Sequence, residues 1–300
     1  MATRECVTEI AVGTTGVGKT YKNKVLIDLY FAKHNRPVLI FDVNLEYSEY
    51  KTIDFDCNES DEQIRCLEIM KFTMSSPHIR RIVALRQDGT PMSISEMKQT
   101  FFDIAKYFVN GLLVLEDINR YDTNMRGQTA KGIISTLRHR GLDILISFQS
   151  ISDIPDNLWR TSKYIRIHKN SDDPYNKKNR ISNIFIIEIA YLIVQHRYSQ
   201  SFNYLKSIGI SFDNYRNNRN KFIQHQQKAD GIFSNVYVQI NPPLILNVPE
   251  LEFKEAVKIF YQKYNNNQIS QIVNYKKCNR DEALEILAND SLEYLHNKRK

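Results

Sequence analysis

Along the first half of the chain, short apolar runs alternate with stretches whose apolar residues recur at helical spacing. Glu5–Val12, Pro37–Val43, Ile79–Leu85, Leu112–Leu115, Asp143–Phe148 and Tyr164–Ile167 read as strands, since β-branched, aliphatic and aromatic residues fill them and turn-forming residues bound them. Leu112–Leu115 has no polar position at all, so both of its faces must be covered, as in a parallel sheet whose crossovers are helices. Between these runs, Lys19–His34, Asp61–Thr73 and Ser93–Val109 have helical spacing, the last opened by a serine cap, and another helix ends near Arg140-Gly141. Alternation of strand and helix predicts an α/β fold around a central, mostly parallel sheet.

The pattern changes after residue 168. Lys169–Arg180 is polar, contains Pro174 and reads as a boundary loop. Helices are expected at 182–206 and 213–228, then an extended piece, Val236–Ile240, before Pro242-Pro243. Helices are expected again over Glu250–Tyr264 and Asp281–Asn297, with Asn265-Asn266-Asn267 as a short polar turn. Two regions result: a core over residues 1–168 and a smaller, mainly helical region over 169–300. The most apolar stretch, Ile181–Val194, is shorter than the ~20 residues a membrane span needs and contains Glu188. It is expected to be a buried helix, and no transmembrane segment is expected.

Composition adds limits. Hydrophobic residues make up 42% of the chain and charged residues 25%, which excludes wholesale disorder. Cys6, Cys57, Cys66 and Cys278 form no C-x-x-C pair and no signal peptide is recognisable, so a reduced, cytoplasmic setting is expected. The net charge of +7 is uneven: residues 1–167 hold 22 basic and 21 acidic side chains, residues 168–300 hold 19 and 13. The excess over 169–228, interleaved with Asn, Gln and Tyr, suits either a phosphate backbone or a solvated surface.

Gly13-Thr14-Thr15-Gly16-Val17-Gly18-Lys19-Thr20 fits G-x-x-x-x-G-K-[ST] without a mismatch, between a strand and a helix. That spacing turns successive backbone N–H groups inward around a β-phosphate, and the helix N-terminus adds its positive end. Lys19 would bridge the β- and γ-phosphates and the Thr20 hydroxyl would ligate Mg²⁺, with Tyr21 next to the nucleotide. ATP and Mg²⁺ are therefore the expected cofactors.

The apolar strand Leu112–Leu115 ends in Glu116-Asp117. One carboxylate at such a strand end holds the metal's water shell and its neighbour polarises the attacking water. By position Glu116 would serve the metal and Asp117 the water, but the usual order in motor ATPases is Asp then Glu, so the two roles stay open. Leu145–Phe148 leads into Gln149, an amide that either caps a loop or senses the γ-phosphate. Arg138 and Arg140 lie near a helix end. There they either complement the helix dipole or reach a neighbouring subunit's phosphate as arginine fingers.

Taken together, GTTGVGKT, VLIFDVNLEY with Asp42 and Glu46-Tyr47, LLVLED, and RHRGLDILISFQSISDIP resemble the FtsK/HerA superfamily of DNA-translocating P-loop ATPases over residues 5–167. The resemblance implies a RecA-like core, ATP hydrolysis at subunit interfaces of a homo-pentameric or homo-hexameric ring, and sequence-independent contact with DNA phosphates. With the loop opening at residue 13, the extra N-terminal modules of cellular members are not expected. The chain is accordingly most similar to viral genome-packaging ATPases, which pump DNA into a preformed capsid. That implies a phage protein in the host cytoplasm or at the virion vertex, with capsid vertex proteins as further partners. Arg120, Arg126 and Lys131, after the acidic strand, are candidate pore contacts. A HerA-like DNA-processing or defence ATPase, or an ATP-switched assembly protein that moves no DNA, are the alternative readings.

Overall fold

The computed structural model describes residues 5–53, 62–86, 88–121, 137, 139–218, 221, 236–246 and 248–299. Two compact units emerge from the contacts. One comprises Met1–Val12, Gly18–Gln149 and Asp153–Lys163; the other comprises Gly13–Val17, Ser150–Ser152 and Tyr164–Lys300.

The first unit is built on five strands: β1 (Thr8–Val12), β2 (Val38–Asp42), β3 (Ile79–Val83), β4 (Leu112–Leu115) and β5 (Asp143–Phe148). They lie in the order β3-β2-β4-β5-β1 and every pair is parallel. β2, β4 and β5 are buried at every position, as their unbroken apolar runs require. Helices α1 (Lys19–His34), α2 (Glu62–Met74) and α3 (Ile94–Tyr107) provide crossovers, and a short α4 (Asp156–Thr161) follows β5. Ile27 of α1 packs with Val38, Ile40, Leu112, Val114, Leu145 and Tyr47, which seats that helix on the middle of the sheet. α3 opens with a capping box: Ser93 accepts from the Glu96 N–H, and the Glu96 carboxylate accepts from the Ser93 N–H.

β3 lies at the end of this strand order, and residues 51–53 close its outer edge. Ile53 N–H donates to the Arg81 carbonyl at 2.8 Å, and Arg81 N–H donates to the Lys51 carbonyl at 3.0 Å. Because all five strands run the same way, the chain leaves them on one side of the sheet. There β1 leads into the glycine loop, β2 ends in Asp42, β4 is followed by Glu116-Asp117 and β5 by Gln149. Ligand sites of open α/β sheets form at such an edge.

The second unit holds β6 (Tyr164–His168), β7 (Tyr237–Asn241) and β8 (Leu244–Leu246), joined antiparallel in that order. Its helices are α5 (Ile184–Ser207), α6 (Phe212–Asn217), α7 (Glu250–Tyr264), α8 (Asn266–Lys276) and α9 (Arg280–Arg299). Arg197 of α5 donates to Glu252 at 2.9 and 2.6 Å and to the Tyr237 carbonyl at 3.1 Å, tying α5, α7 and β7 together. Ile269, Ala283, Leu284 and Leu287 pack α8 against α9.

The main departures from the sequence pattern are additions. β8, α4 and α8 were not expected, and the Asn265–Asn267 turn is the start of α8. The boundary loop contains a 3-10 turn at Pro174–Lys177, where Asp173 accepts from the Tyr175 N–H. The helix expected before Arg140 falls largely outside the described residues, as does the end of the one expected over 213–228. Among the described residues no helix is long and apolar enough to cross a membrane.

Candidate functional site: a buried lysine beside three carboxylates

The loop from Gly13 to Thr20 joins β1 to α1. Gly16 and Gly18 have φ of 79° and 89°, a left-handed conformation that glycine adopts without a Cβ penalty. Gly18 is the N-cap of α1 and makes no side-chain cap, and uncapped N–H groups at a helix N-terminus suit an anion. Gly13 is a glycine for space: a Cβ there would lie 2.6 Å from the His168 Cβ. Thr14 N–H donates to the Lys169 carbonyl at 2.9 Å. Thr15 and Val17 complete the loop, and the Tyr21 side chain is 66% exposed at the first turn of α1.

Lys19 is only 7% exposed. Burial lowers its pKa, while the carboxylates of Asp117, Glu116 and Glu46 pull the other way. The Thr20 hydroxyl donates to the Glu46 carboxylate. Among the described residues no group of three or more His, Cys, Asp or Glu forms a ready-made metal site.

Glu116 is 1% exposed. Its Oε1 accepts from Asn23 Nδ2 at 2.9 Å, from Ser147 Oγ at 3.3 Å and from the Tyr47 hydroxyl. Burial raises the Glu116 pKa above the usual carboxylate value, opposed by the bonds from Tyr47 and Asn23. Burial, reinforced by the Glu116 charge, pushes the Tyr47 hydroxyl well up as well.

Asp117 stands apart from its neighbour. It has φ of 41° and opens the 3-10 turn Ile118–Arg120, which swings its side chain out of the strand alternation. Its Oδ2 accepts from Asn44 Nδ2 at 2.8 Å and from Gln149 Nε2 at 2.6 Å. Arg120 in turn donates to Asn44 Oδ1. A cavity of about 250 Å³ is lined by Asp117, Asn119, Arg120, Gln149 and Asp153.

The segment after β2 is held by Asp42. Its carboxylate accepts from Glu46 N–H at 2.9 Å, from Tyr47 N–H at 3.1 Å and from Arg81 Nη1 at 2.8 Å. This buried, fully bonded aspartate positions Asn44, Glu46 and Tyr47 against the strand ends.

The structure thus brings Lys19, Thr20, Glu116, Asp117 and Gln149 to one edge. It adds Asn23, Asn44 and Ser147, which the motifs do not single out, and brings in Glu46 and Tyr47, the pair noted after the second strand. Asn23 carried a signal in its spacing, four residues after Lys19 on the same helix; Ser147 carried one as a polar residue inside an apolar strand. Arg120 joins this group through Asn44. Arg140 does not: its guanidinium donates to the Lys106 carbonyl at the end of α3, where it caps the helix. Arg138, Arg126 and Lys131 lie outside the described residues.

A lysine at a helix N-terminus with carboxylates beside it can hold a polyphosphate and position a water. Residues 10–190, more than half of the chain, match the family described as Helicase HerA, central domain. The chain belongs to that family, among the FtsK/HerA-type P-loop ATPases. Solved structures with a similar fold include the genome packaging NTPase B204 of Sulfolobus turreted icosahedral virus 2 bound to AMP. It is 16% identical, with 60% of this chain and 84% of that chain covered and a TM-score of 0.42. The DNA-packaging ATPase B204 of Sulfolobus turreted icosahedral virus is 16% identical over 59% and 82% of the two chains, with a TM-score of 0.41. The N-terminal domain of zonular occludens toxin from Neisseria meningitidis is 15% identical over 56% and 79%, with a TM-score of 0.32. No curated protein matches the sequence.

Proposed function

We propose that this chain is an ATP-driven DNA translocase that works as a homo-pentameric or homo-hexameric ring, and that its task is packaging a viral genome into a preformed capsid. The observation that carries the reading is the strand-end edge itself. Lys19 at the start of α1 lies among the neighbouring carboxylates Glu116 and Asp117, with Gln149 bonded to Asp117, in a chain of the HerA central-domain family. Residues 1–168 form the motor in this reading. Residues 169–300, which hold most of the positive excess, are a surface for DNA or capsid vertex proteins. The chain would act in the host cytoplasm, docked at the virion vertex.

The donor set fits a divalent cation. Lys19 lies among Asp117, Glu116 and Glu46, an excess of negative charge that a hard dication with oxygen ligands offsets. The Thr20 hydroxyl, turned from Glu46, and Glu116, through water, would hold Mg²⁺. When bound, that ion spreads the charge of the phosphates. Lys19 and the loop amides bind and orient the polyphosphate. Asp117 takes the proton of the attacking water while Gln149 keeps that carboxylate aimed, and an arginine of the adjoining subunit, Arg138 or Arg140, completes the site.

The test is hydrolysis of ATP by the purified chain with and without double-stranded DNA. Lys19→Ala is expected to abolish turnover, and wild-type turnover is expected to rise with DNA. A wild type that hydrolyses ATP, assembles with nucleotide and ignores DNA would instead be an assembly switch. A second reading, a HerA-like DNA-processing motor, is favoured by the family match. It shares this chemistry and is separated by its partner, a nuclease in place of a capsid vertex.

A further inference from the structure

We propose that Asp172 is a positioning residue for Gln149, so that the C-terminal unit sets the rate of hydrolysis. The inference rests on the reading of this chain as an ATPase and adds what keeps Gln149 in place.

Gln149 is exposed and follows directly on a fully buried strand. A long, exposed side chain has rotamer freedom to lose, so its bond to Asp117 at 2.6 Å depends on a backbone that stays fixed on both sides. β5 fixes the side before it. On the other side the chain passes from the first unit to the second at the Gln149–Ser150 bond, and there the hold comes from Asp172. The Ser150 hydroxyl donates to Asp172 Oδ2, and its oxygen accepts from Ser152 N–H at 3.0 Å. The same Oδ2 accepts from Ser152 N–H at 3.4 Å. One carboxylate oxygen thus clamps both ends of the short turn that begins right after Gln149, through bonds that its charge strengthens.

Asp172 is itself anchored. Its N–H donates to Asn170 Oδ1 at 3.0 Å, and Asn170 is buried. The Asn170 carbonyl accepts from Gln195 Nε2 of α5 at 2.8 Å. On the next residue, the Asp173 carboxylate accepts from Lys263 and from Tyr264 of α7, each at 2.8 Å. The clamp is therefore seated on two helices of its own unit. The glycine loop is held separately, because Thr14 N–H donates to the carbonyl of Lys169 and needs no side chain of this segment. Loss of the Asp172 side chain should accordingly act on the rate and spare nucleotide affinity.

The experiment measures ATP turnover and fluorescent-nucleotide binding for wild type, Asp172→Ala and Asp172→Asn, and repeats Asp172→Ala in a Gln149→Ala background. Asp172→Ala is expected to lower kcat by about 10- to 100-fold, as loss of a positioned group does. Its nucleotide affinity, which also shows that the variant is folded, is expected to change by less than about threefold. Asp172→Asn keeps an oxygen for the Ser150 hydroxyl and is expected to recover most of the turnover. In the Gln149→Ala background, itself slow, Asp172→Ala is expected to cost nothing further, since a residue that acts through Gln149 has nothing left to act on. Independently of turnover, hydrogen exchange over residues 149–153 is expected to quicken in Asp172→Ala and to stay unchanged over β4.

Full turnover of Asp172→Ala overturns the proposal. So does an equal further loss in the Gln149→Ala background, which would mean that Asp172 only supports the fold. Failure of the underlying reading looks different: wild type would show no ATP turnover at all. Exchange over 149–153 then decides alone, a faster rate in Asp172→Ala supporting the clamp and an unchanged rate overturning it.

Discussion

Glu116 is a carboxylate in a fully buried place, held by three donors that all meet one oxygen. Because burial raises its pKa above the ordinary 4.5, the folded chain holds this proton more tightly than the unfolded one. The resulting contribution is present below that value and is lost as pH rises through the folded pKa. Glu116→Gln keeps an acceptor for Asn23, Tyr47 and Ser147 and removes the charge. It is expected to raise the thermal midpoint at neutral pH, with the gain shrinking as pH falls towards 4.5, as calorimetry would read. The same variant is expected to lose Mg²⁺-dependent nucleotide binding, the usual exchange of activity for stability. Asp117→Asn should leave binding intact and lower turnover by about 10²–10⁴-fold. Tyr47→Phe removes a donor from a buried charge and is expected to cost about 1–3 kcal/mol, measured by denaturant unfolding. At this scale the contiguous motifs were legible, because the loop chemistry lies in eight successive residues. Asn23, Asn44 and Ser147 were not, since their roles come from three elements converging on one acidic pair.

Among the elements, the C-terminal helices show how a polar sequence can still fold. α8 begins in Asn266-Asn267 and reads as a turn, yet Ile269, Ile272 and Val273 recur at helical spacing and Ile269 is buried against α9. Ile269→Ala is expected to cost about 2–4 kcal/mol locally. Hydrogen exchange should quicken over 266–276 and stay unchanged in β2 and β4. β8 and α4 were missed for another reason, being three and six residues long, too short for a period to show. α5 was legible as a buried helix despite Glu188, whose Oε1 accepts from the Tyr264 hydroxyl at 3.0 Å. Burial, with the Asp173 carboxylate nearby, raises the Glu188 pKa to about 7. Its contribution to stability is therefore complete at acid pH and is lost as pH rises through about 7. The Asp173 pKa is lowered by Lys263 and Tyr264, although burial alone would raise it, so its contribution is lost only in a separate, more acidic window. Wild type is expected to lose thermal midpoint between about pH 5 and 8, and Glu188→Gln to flatten that slope.

For the molecule as a whole, the parallel sheet follows from runs that alternate with helices, which is why the α/β class could be read at once, whereas the order of its strands was not read from the sequence. Its second unit was read as mainly helical, which its five helices bear out among the described residues; β6 was read as part of the core, and β7 and β8 are only five and three residues long. The charge imbalance remains a property of the whole: the C-terminal residues carry most of the excess of +7. If Lys177, Lys178 and Arg180 touch DNA, replacing all three with Gln should lower the slope of log affinity against log salt by about one unit per lost phosphate contact. An unchanged slope would assign them to solvent or to a protein partner.

Arg81 links these scales. Its side chain secures Asp42, and its main chain pairs with Lys51 and Ile53 on the far side of β3. The middle of that edge is therefore already occupied by the chain's own backbone. A strand offered by another copy, or by an aggregating peptide, finds the ladder there taken. At Arg81 a second copy of the chain that met this flank would find side chains in place of free backbone groups, and a contact of that kind can be loosened and renewed without unzipping a shared sheet.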